Sequence, residues 1–240
     1  MEKRILPMVS AQREVDSNMI TLGYKMRLGE LLRQFQQIGT DHLESTGHGL
    51  AVMIEQNEAY LLSRTSIKIN RLPKYMEKFT AKTCTPRYEG VFNVRYYSLV
   101  GEDGEVIADG MSYWTLLNIA TRRIIRPSRI EQRYLPLREE FTVSAQPPAR
   151  LSAPENMTQC GTHKVIKGEV DQYGHLNNTR YLDILTDFLD EEKVGALTLC
   201  FNKELPLGSE FVIKTDGSGT FTYEKEGTVC FIAKVEPRRV

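Results

Sequence analysis

The feature that most limits how this chain can fold is a plan stated twice: an amphipathic helix, then a run of strands. In the first half, "MRLGELLRQFQQIG" places Leu28, Leu31, Leu32, Phe35 and Ile38 three and four residues apart, which stacks them on one helix face. Strand-like segments follow: "AYLLSRTSIKIN", "EKFTAKTCTPRYE", "VFNVRYYSLVG" and "EVIADGMSYWTLLNIA", with "GEDGE" supplying hairpin-type turn residues between the last two. In the second half Tyr181, Ile184, Leu185 and Phe188 repeat the helical spacing. The strand-like "HKVIKGEV" precedes them, and "GALTLCFNKE", "SEFVIKTDG", "GTFTYEKEG" and "TVCFIAKVEP" come after.

One local match ties the halves together. "SIKINRLPKYMEKF" and "TLCFNKELPLGSEF" superpose with Ile67 on Leu199, Ile69 on Phe201, Asn70 on Asn202 and Phe79 on Phe211. The expectation is an α+β fold of two tandem units, each an antiparallel sheet curled around a long helix. Two such units can continue each other's sheet and remove exposed edges. Between them lies "PSRIEQRYLPLREEFTVSAQPPARLSAPENM", whose five prolines and mixed charge mark a linker. The expected division is 1–126, a linker at 127–157, and 158–240.

Composition narrows the function classes. The 31 basic and 31 acidic side chains cancel, so global charge argues for neither nucleic acid nor an anionic membrane as partner. Cys84, Cys160, Cys200 and Cys230 form no CxxC pair, and four histidines give a metal site little material. Reduced thiols and no metal or cofactor are therefore expected. The N-terminal "MEKRILPMVSAQREVDSNMI" lacks a signal-peptide core, and no apolar run nears the roughly 20 residues of a membrane-spanning helix. A cytoplasmic location is expected.

The concentrated chemistry lies in "VDQYGHLNNTRYLDIL", residues 170–185. Asp171, Tyr173, His175, Asn177 and Asn178 crowd the start of a helix built for burial. Asn177 or Asn178 suits the N-cap. Free amides and the positive end of the helix dipole then lie near Asp171 and His175. Such a helix start can polarise a carbonyl, and a nearby histidine can take a proton from water. In the repeat, the position matching His175 is Leu22 or Met26, and that matching Glu204 is Leu72. The polar set thus exists only in the second half, and structure alone would not require that asymmetry.

The stretch "DQYGHLNNTRY" resembles the motif of hotdog-fold thioesterases, most closely the acyl-acyl carrier protein (acyl-ACP) thioesterases. "SYWTLLNIATRRIIRP" resembles that family's segment at the end of the first unit, with Trp114, Asn118, Thr121, Arg122 and Arg123 in place. "LTLCFNKELPLGSEF" resembles the strand carrying its remaining acidic residue, here Glu204. The resemblance implies two hotdog units in one chain and a catalytic group of Asp171, His175 and Glu204, with Tyr173 and Asn177 as secondary candidates. There are two departures: plant members have asparagine where this chain has Tyr173, and cysteine where it has Leu205. Cysteine nucleophilic catalysis from position 205 is excluded. Cys200 would share a face with Glu204 if strand alternation held, and is read as core filler.

The implied reaction is hydrolysis of acyl-ACP to free fatty acid in fatty acid biosynthesis. In one version His175, supported by Glu204, activates water while Asp171 and the helix N-terminus position the thioester. In the other, Asp171 is base or nucleophile and His175 only positions. The acyl chain would run through the first unit, with Leu32, Phe35, Gln36, Asn178 and His42 as candidate contacts. His42 and His48, in "TDHLESTGHGL", otherwise read as loop residues. Arg122, Arg123 and Arg126, with Arg129, Arg133 and Arg138 beyond, offer a basic patch for an acidic carrier protein. A homodimer is compatible with this reading. The rivals are a coenzyme A thioesterase of the same superfamily and a non-catalytic acyl-binding module.

Overall fold

The computed structural model describes residues 7–126 and 139–238. The first half runs β1 (Met8–Glu14), α1 (Leu28–Ser45), α2 (Leu50–Glu55), β2 (Glu58–Ile69), β3 (Lys78–Glu89), β4 (Phe92–Gly101), β5 (Val106–Asn118) and a short β6 (Arg123–Ile124). The second runs β7 (Thr158–Lys164), α3 (Asn178–Leu185), β8 (Val194–Phe201), β9 (Glu210–Thr215), β10 (Thr220–Lys225) and β11 (Thr228–Pro237). Every named pairing is antiparallel, in one 11-stranded sheet ordered β1-β3-β4-β5-β2-β8-β11-β10-β9-β7, with β6 on β5. Read outward from the centre, both halves have the same order. They join where β2 pairs with β8, Arg64 opposite Cys200 and Lys68 opposite Ala196.

The apolar stripe of α1 explains its position. Leu28, Leu31, Leu32, Phe35 and Ile38 are all at most 1% exposed. Burying each such side chain contributes roughly 1.5–3 kcal/mol. Phe35 stacks on Tyr97 of β4 with ring centroids 5.0 Å apart. In the second half Tyr181 of α3 sits among Phe201, Tyr223 and Phe231, and the Tyr223 hydroxyl donates to the Tyr181 carbonyl at 2.8 Å.

The halves also meet through their helices. Arg27 supplies no side-chain cap to α1, and the Leu28 amide instead donates to the Glu191 carboxylate at 2.7 Å. Burial pushes the Glu191 carboxyl above its usual range. Gly29 makes the close approach possible: a Cβ there would lie 3.0 Å from the Thr179 carbonyl oxygen of α3 and 1.9 Å from an Asp183 carboxylate oxygen.

The N-terminal segment forms strand β1, which pairs with β3 at the sheet edge. Three local expectations change. "HKVIKGEV" is not a strand: β7 ends at Lys164, and 167–169 form a 3₁₀ turn. The second helix is short, eight residues followed by a 3₁₀ turn at Thr186–Phe188. And α1 continues to Ser45, taking in His42, which lies on its buried face.

Of the expected linker, residues 127–138, with Arg129, Arg133 and Arg138, lie outside the described residues. The remainder straps the outer face of the sheet. Asp109 of β5 accepts from the Ser144 amide (2.8 Å) and hydroxyl (2.6 Å) and the Ala145 amide (2.8 Å). The Ser66 hydroxyl donates to the Gln146 carbonyl. Cys200 faces this strap, its sulfur contacting the Ala149 carbonyl and Leu151 amide at 3.4 Å. It does not share a face with Glu204, because β8 ends at Phe201 and the chain turns before residue 204. Burial pushes the Cys200 thiol up, away from the reactive thiolate.

Replacing Gly29 by valine should force α1 from α3 and cost roughly 1–3 kcal/mol. A thermal melt checks this: Tm is expected to fall by several degrees, and an unchanged Tm would mean that this helix crossing is not tight.

Candidate active site

The motif at residues 170–177 is a closed loop held by its own backbone. The Asp171 amide donates to the His175 carbonyl (2.8 Å), and the Gly174 amide to the Asp171 carbonyl (3.0 Å). The Asp171 carboxylate accepts from the amides of Tyr173 (2.9 Å) and His175 (3.2 Å). Gly174 closes the turn at φ 81°, the left-handed region that glycine enters at no steric cost. A second clasp joins this loop to the turn after β8: Leu176 donates to the Leu205 carbonyl (2.8 Å), and Leu207 to the Gly174 carbonyl (2.9 Å).

That clasp brings His175 to Glu204 across 29 residues of sequence. His175 Nε2 lies 3.3 Å from Glu204 Oε2, with the side chains 28% and 50% exposed, so the pair is open to water. Asn177 is the N-cap of α3: its side-chain oxygen accepts from the amide (3.0 Å) and hydroxyl (2.9 Å) of Thr179. Asn178 is the first helical residue. Burial first, then the thiol of Cys230 and the carboxylates of Glu204 and Asp171, hold the Tyr181 phenol protonated well above its usual range.

The first half uses the same clasp without the chemistry. Thr21 donates to the Lys25 carbonyl (2.8 Å), Tyr24 to the Thr21 carbonyl (3.0 Å), Met26 to the Pro73 carbonyl (2.8 Å) and Tyr75 to the Tyr24 carbonyl (2.9 Å). The counterpart of His175 is thus Lys25, not Leu22 or Met26. Lys25 pairs with Glu192 at 2.5 Å, and the counterpart of Glu204 is Leu72, 5% exposed in the core.

A cavity of about 970 Å³ opens at this cluster and extends into the first half. Asp171, Tyr173, His175, Asn177, Asn178 and Glu204 all line it. Gln36 and Arg122 line it too, whereas Leu32 and Phe35 are packed in the core and do not reach its wall. Arg122, at φ 54° in a turn that Asn118 caps through the Thr121 amide and hydroxyl (both 2.9 Å), sits on the rim. Arg123 and Arg126 are exposed beside it. His42 is fully buried, a ring nitrogen 3.1 Å from Arg95. Sequence reasoning missed Asn93 and Arg95, which line the cavity from β4. Little in the sequence signals them, because β4 is buried on both faces and its residues do not alternate between buried and exposed.

A profile of the acyl-ACP thioesterase N-terminal domain matches residues 9–134, more than half of the chain. The chain belongs to the acyl-ACP thioesterase family. Among acyl-ACP thioesterases, it is similar to oleoyl-acyl carrier protein thioesterase 2, chloroplastic, of Arabidopsis thaliana, at 23% identity over 198 residues. That match covers 70% of this chain and 52% of the plant protein, so the chain spans about half the length of this relative. Two solved structures share the fold. An acyl-ACP thioesterase from Bacteroides thetaiotaomicron VPI-5482 superposes with TM-score 0.85 at 21% identity, covering 97% of this chain and 98% of that one. The 12:0-ACP thioesterase of Umbellularia californica gives TM-score 0.76 at 15% identity, covering 96% and 97%.

In this acyl-ACP thioesterase family member no described helix is long and apolar enough to cross a membrane. Among the described residues no cluster of three or more His, Cys, Asp or Glu could hold a metal ion.

Asn177→Ala should remove the α3 cap and cost about 1 kcal/mol of stability. Urea denaturation measures it; a wild-type midpoint would show that the cap carries none of the helix's stability.

Proposed function

We propose that this protein hydrolyses acyl-ACP thioesters to free fatty acid and carrier protein, serving fatty acid biosynthesis, with two tandem hotdog units as its scaffold. The units divide at 1–126 and 158–240. The observation that carries the reading is the His175–Glu204 pair, 3.3 Å apart, at the mouth of a cavity large enough for an acyl chain. The same backbone clasp in the first half holds only Lys25 and Leu72 at those positions.

The reaction runs through water. His175 donates Nε2–H to Glu204, which leaves Nδ1 to take a proton from water as its oxygen attacks the thioester carbon. The oxyanion is stabilised by the Asn178 amide and the positive end of the α3 dipole, since the Asn177, Thr179 and Arg180 amides are already bonded within the chain. The C–S bond then breaks, and the proton passes from the imidazolium to the departing thiolate. Asp171 acts as a positioning residue, because its carboxylate is bonded to the Tyr173 and His175 amides. That geometry favours the version with His175 as base over the one with Asp171 as nucleophile. The carrier protein docks on the rim at Arg122, Arg123 and Arg126.

The test is thiol release from matched acyl-ACP and acyl-coenzyme A thioesters. His175→Ala and Glu204→Gln are expected to lower kcat/KM for acyl-ACP by about 10²–10⁴-fold while both variants melt like wild type. Near-full turnover by His175→Ala would sink the mechanism, and preference for coenzyme A esters would reassign the carrier. Charge reversal at Arg122 and Arg123 should raise KM for acyl-ACP with little change in kcat. An unmoved KM would remove the patch as the dock.

A further inference from the structure

The inner wall of the cavity carries a polar patch among apolar residues such as Met53, Leu62 and Leu117, where an unsubstituted acyl chain would require apolar surface throughout. Asn93, Arg95 and Tyr97 alternate on the inward face of β4, and Gln36 of α1 faces the same cavity. Asn93 and Arg95 are 2% and 4% exposed. The Tyr97 hydroxyl accepts from Trp114 Nε1 at 3.0 Å, so that group is satisfied. Asn93 Nδ2 and Gln36 Nε2 are buried and have no hydrogen-bond partner. Arg95 meets only a ring nitrogen of His42 (3.1 Å) and the Thr83 hydroxyl (3.2 Å). Among the described residues no carboxylate forms an ion pair with it.

Unpaired buried donors are rare in folded proteins and costly in a dry cavity. A plain alkyl chain would complete the drying and leave Asn93, Gln36 and Arg95 facing methylenes. A chain carrying an acceptor oxygen would satisfy them. These donors are also remote from the thioester end. In the sheet β4 lies three strands from β8, which at about 4.8 Å per strand is roughly 14 Å, and Glu204 lies in the turn after β8.

We propose that Gln36, Asn93 and Arg95 form a specificity subsite for an acceptor oxygen (hydroxyl, oxo or carboxylate) borne on the acyl chain far from the thioester. The preferred substrate is then an oxygenated acyl thioester. This rests on the hydrolase reading and sharpens its substrate.

The test compares carrier-protein thioesters of one chain length, unsubstituted, hydroxylated in the distal half, or ending in a carboxylate, on wild type, Asn93→Leu, Gln36→Leu and Arg95→Met. Wild type is expected to favour at least one oxygenated chain about tenfold or more in kcat/KM, as a site built to bond an oxygen disfavours the analogue lacking it. The two oxygenated arms distinguish a neutral from an anionic acceptor. The ratio should fall toward one in Asn93→Leu and Gln36→Leu, which keeps the test alive if Arg95→Met fails to fold. Equal or faster hydrolysis of the unsubstituted chain by wild type, with a ratio unmoved in the variants, would overturn the subsite while leaving the hydrolase intact. If no thioester turned over, the hydrolase reading would fail instead, and calorimetry with the free fatty acids would judge the subsite: tighter binding of the oxygenated acid supports it, equal binding overturns it.

Discussion

Two backbone hydrogen bonds, Leu176 to Leu205 and Leu207 to Gly174, hold the candidate site together. They lock a loop that precedes a helix to a turn that follows a strand. A histidine and a glutamate distant in sequence become neighbours with little of their own energy spent on the meeting. The exposed His175–Glu204 contact would be weak as a free surface pair. It is useful because the main chain, not the ion pair, fixes its geometry.

The same clasp occurs in both halves, and this separates scaffold from chemistry. In the first half it carries Lys25 and a buried Leu72, and its tight turn sets Tyr24 at φ 55° where the second half has Gly174. The fold therefore needs the clasp twice but needs the titratable pair at neither place. The β2–β8 junction and the Glu191 cap on α1 then bring the two halves together, so that the cavity starting at the furnished clasp is walled by the other half. One half supplies the His175–Glu204 pair, and both supply the walls of the cavity it opens on.

Local interactions alone define several elements of this chain. The apolar stripe of α1 survives because five residues at helical spacing define a face without help from anything distant. The loop at 170–177 was legible because asparagine, glycine and aspartate act on backbone groups two to four residues away. The same locality limits what the sequence reveals of Leu32 and Phe35. Periodicity reports that a helix has a buried side, not whether a given residue on it meets a neighbouring strand or an empty space. The place of His42 on the buried face depends on α1 continuing past it beside Arg95 of β4.

By itself the sequence determined the helix faces, the alternating strands, the capped loop and the asymmetry between the halves, all of which follow from interactions spanning a few residues. Only the tertiary structure decided which partners those elements found. It paired β1 with β3 and shortened the second helix. It laid residues 139–157 across the outer sheet face through Asp109, and turned Cys200 toward that strap. It alone also set the polar side chains of β4 against a cavity reaching to His175. The reason is physical: sheet pairing and cavity walls are made by residues from distant parts of the chain, and no local pattern encodes which surfaces will close on one another.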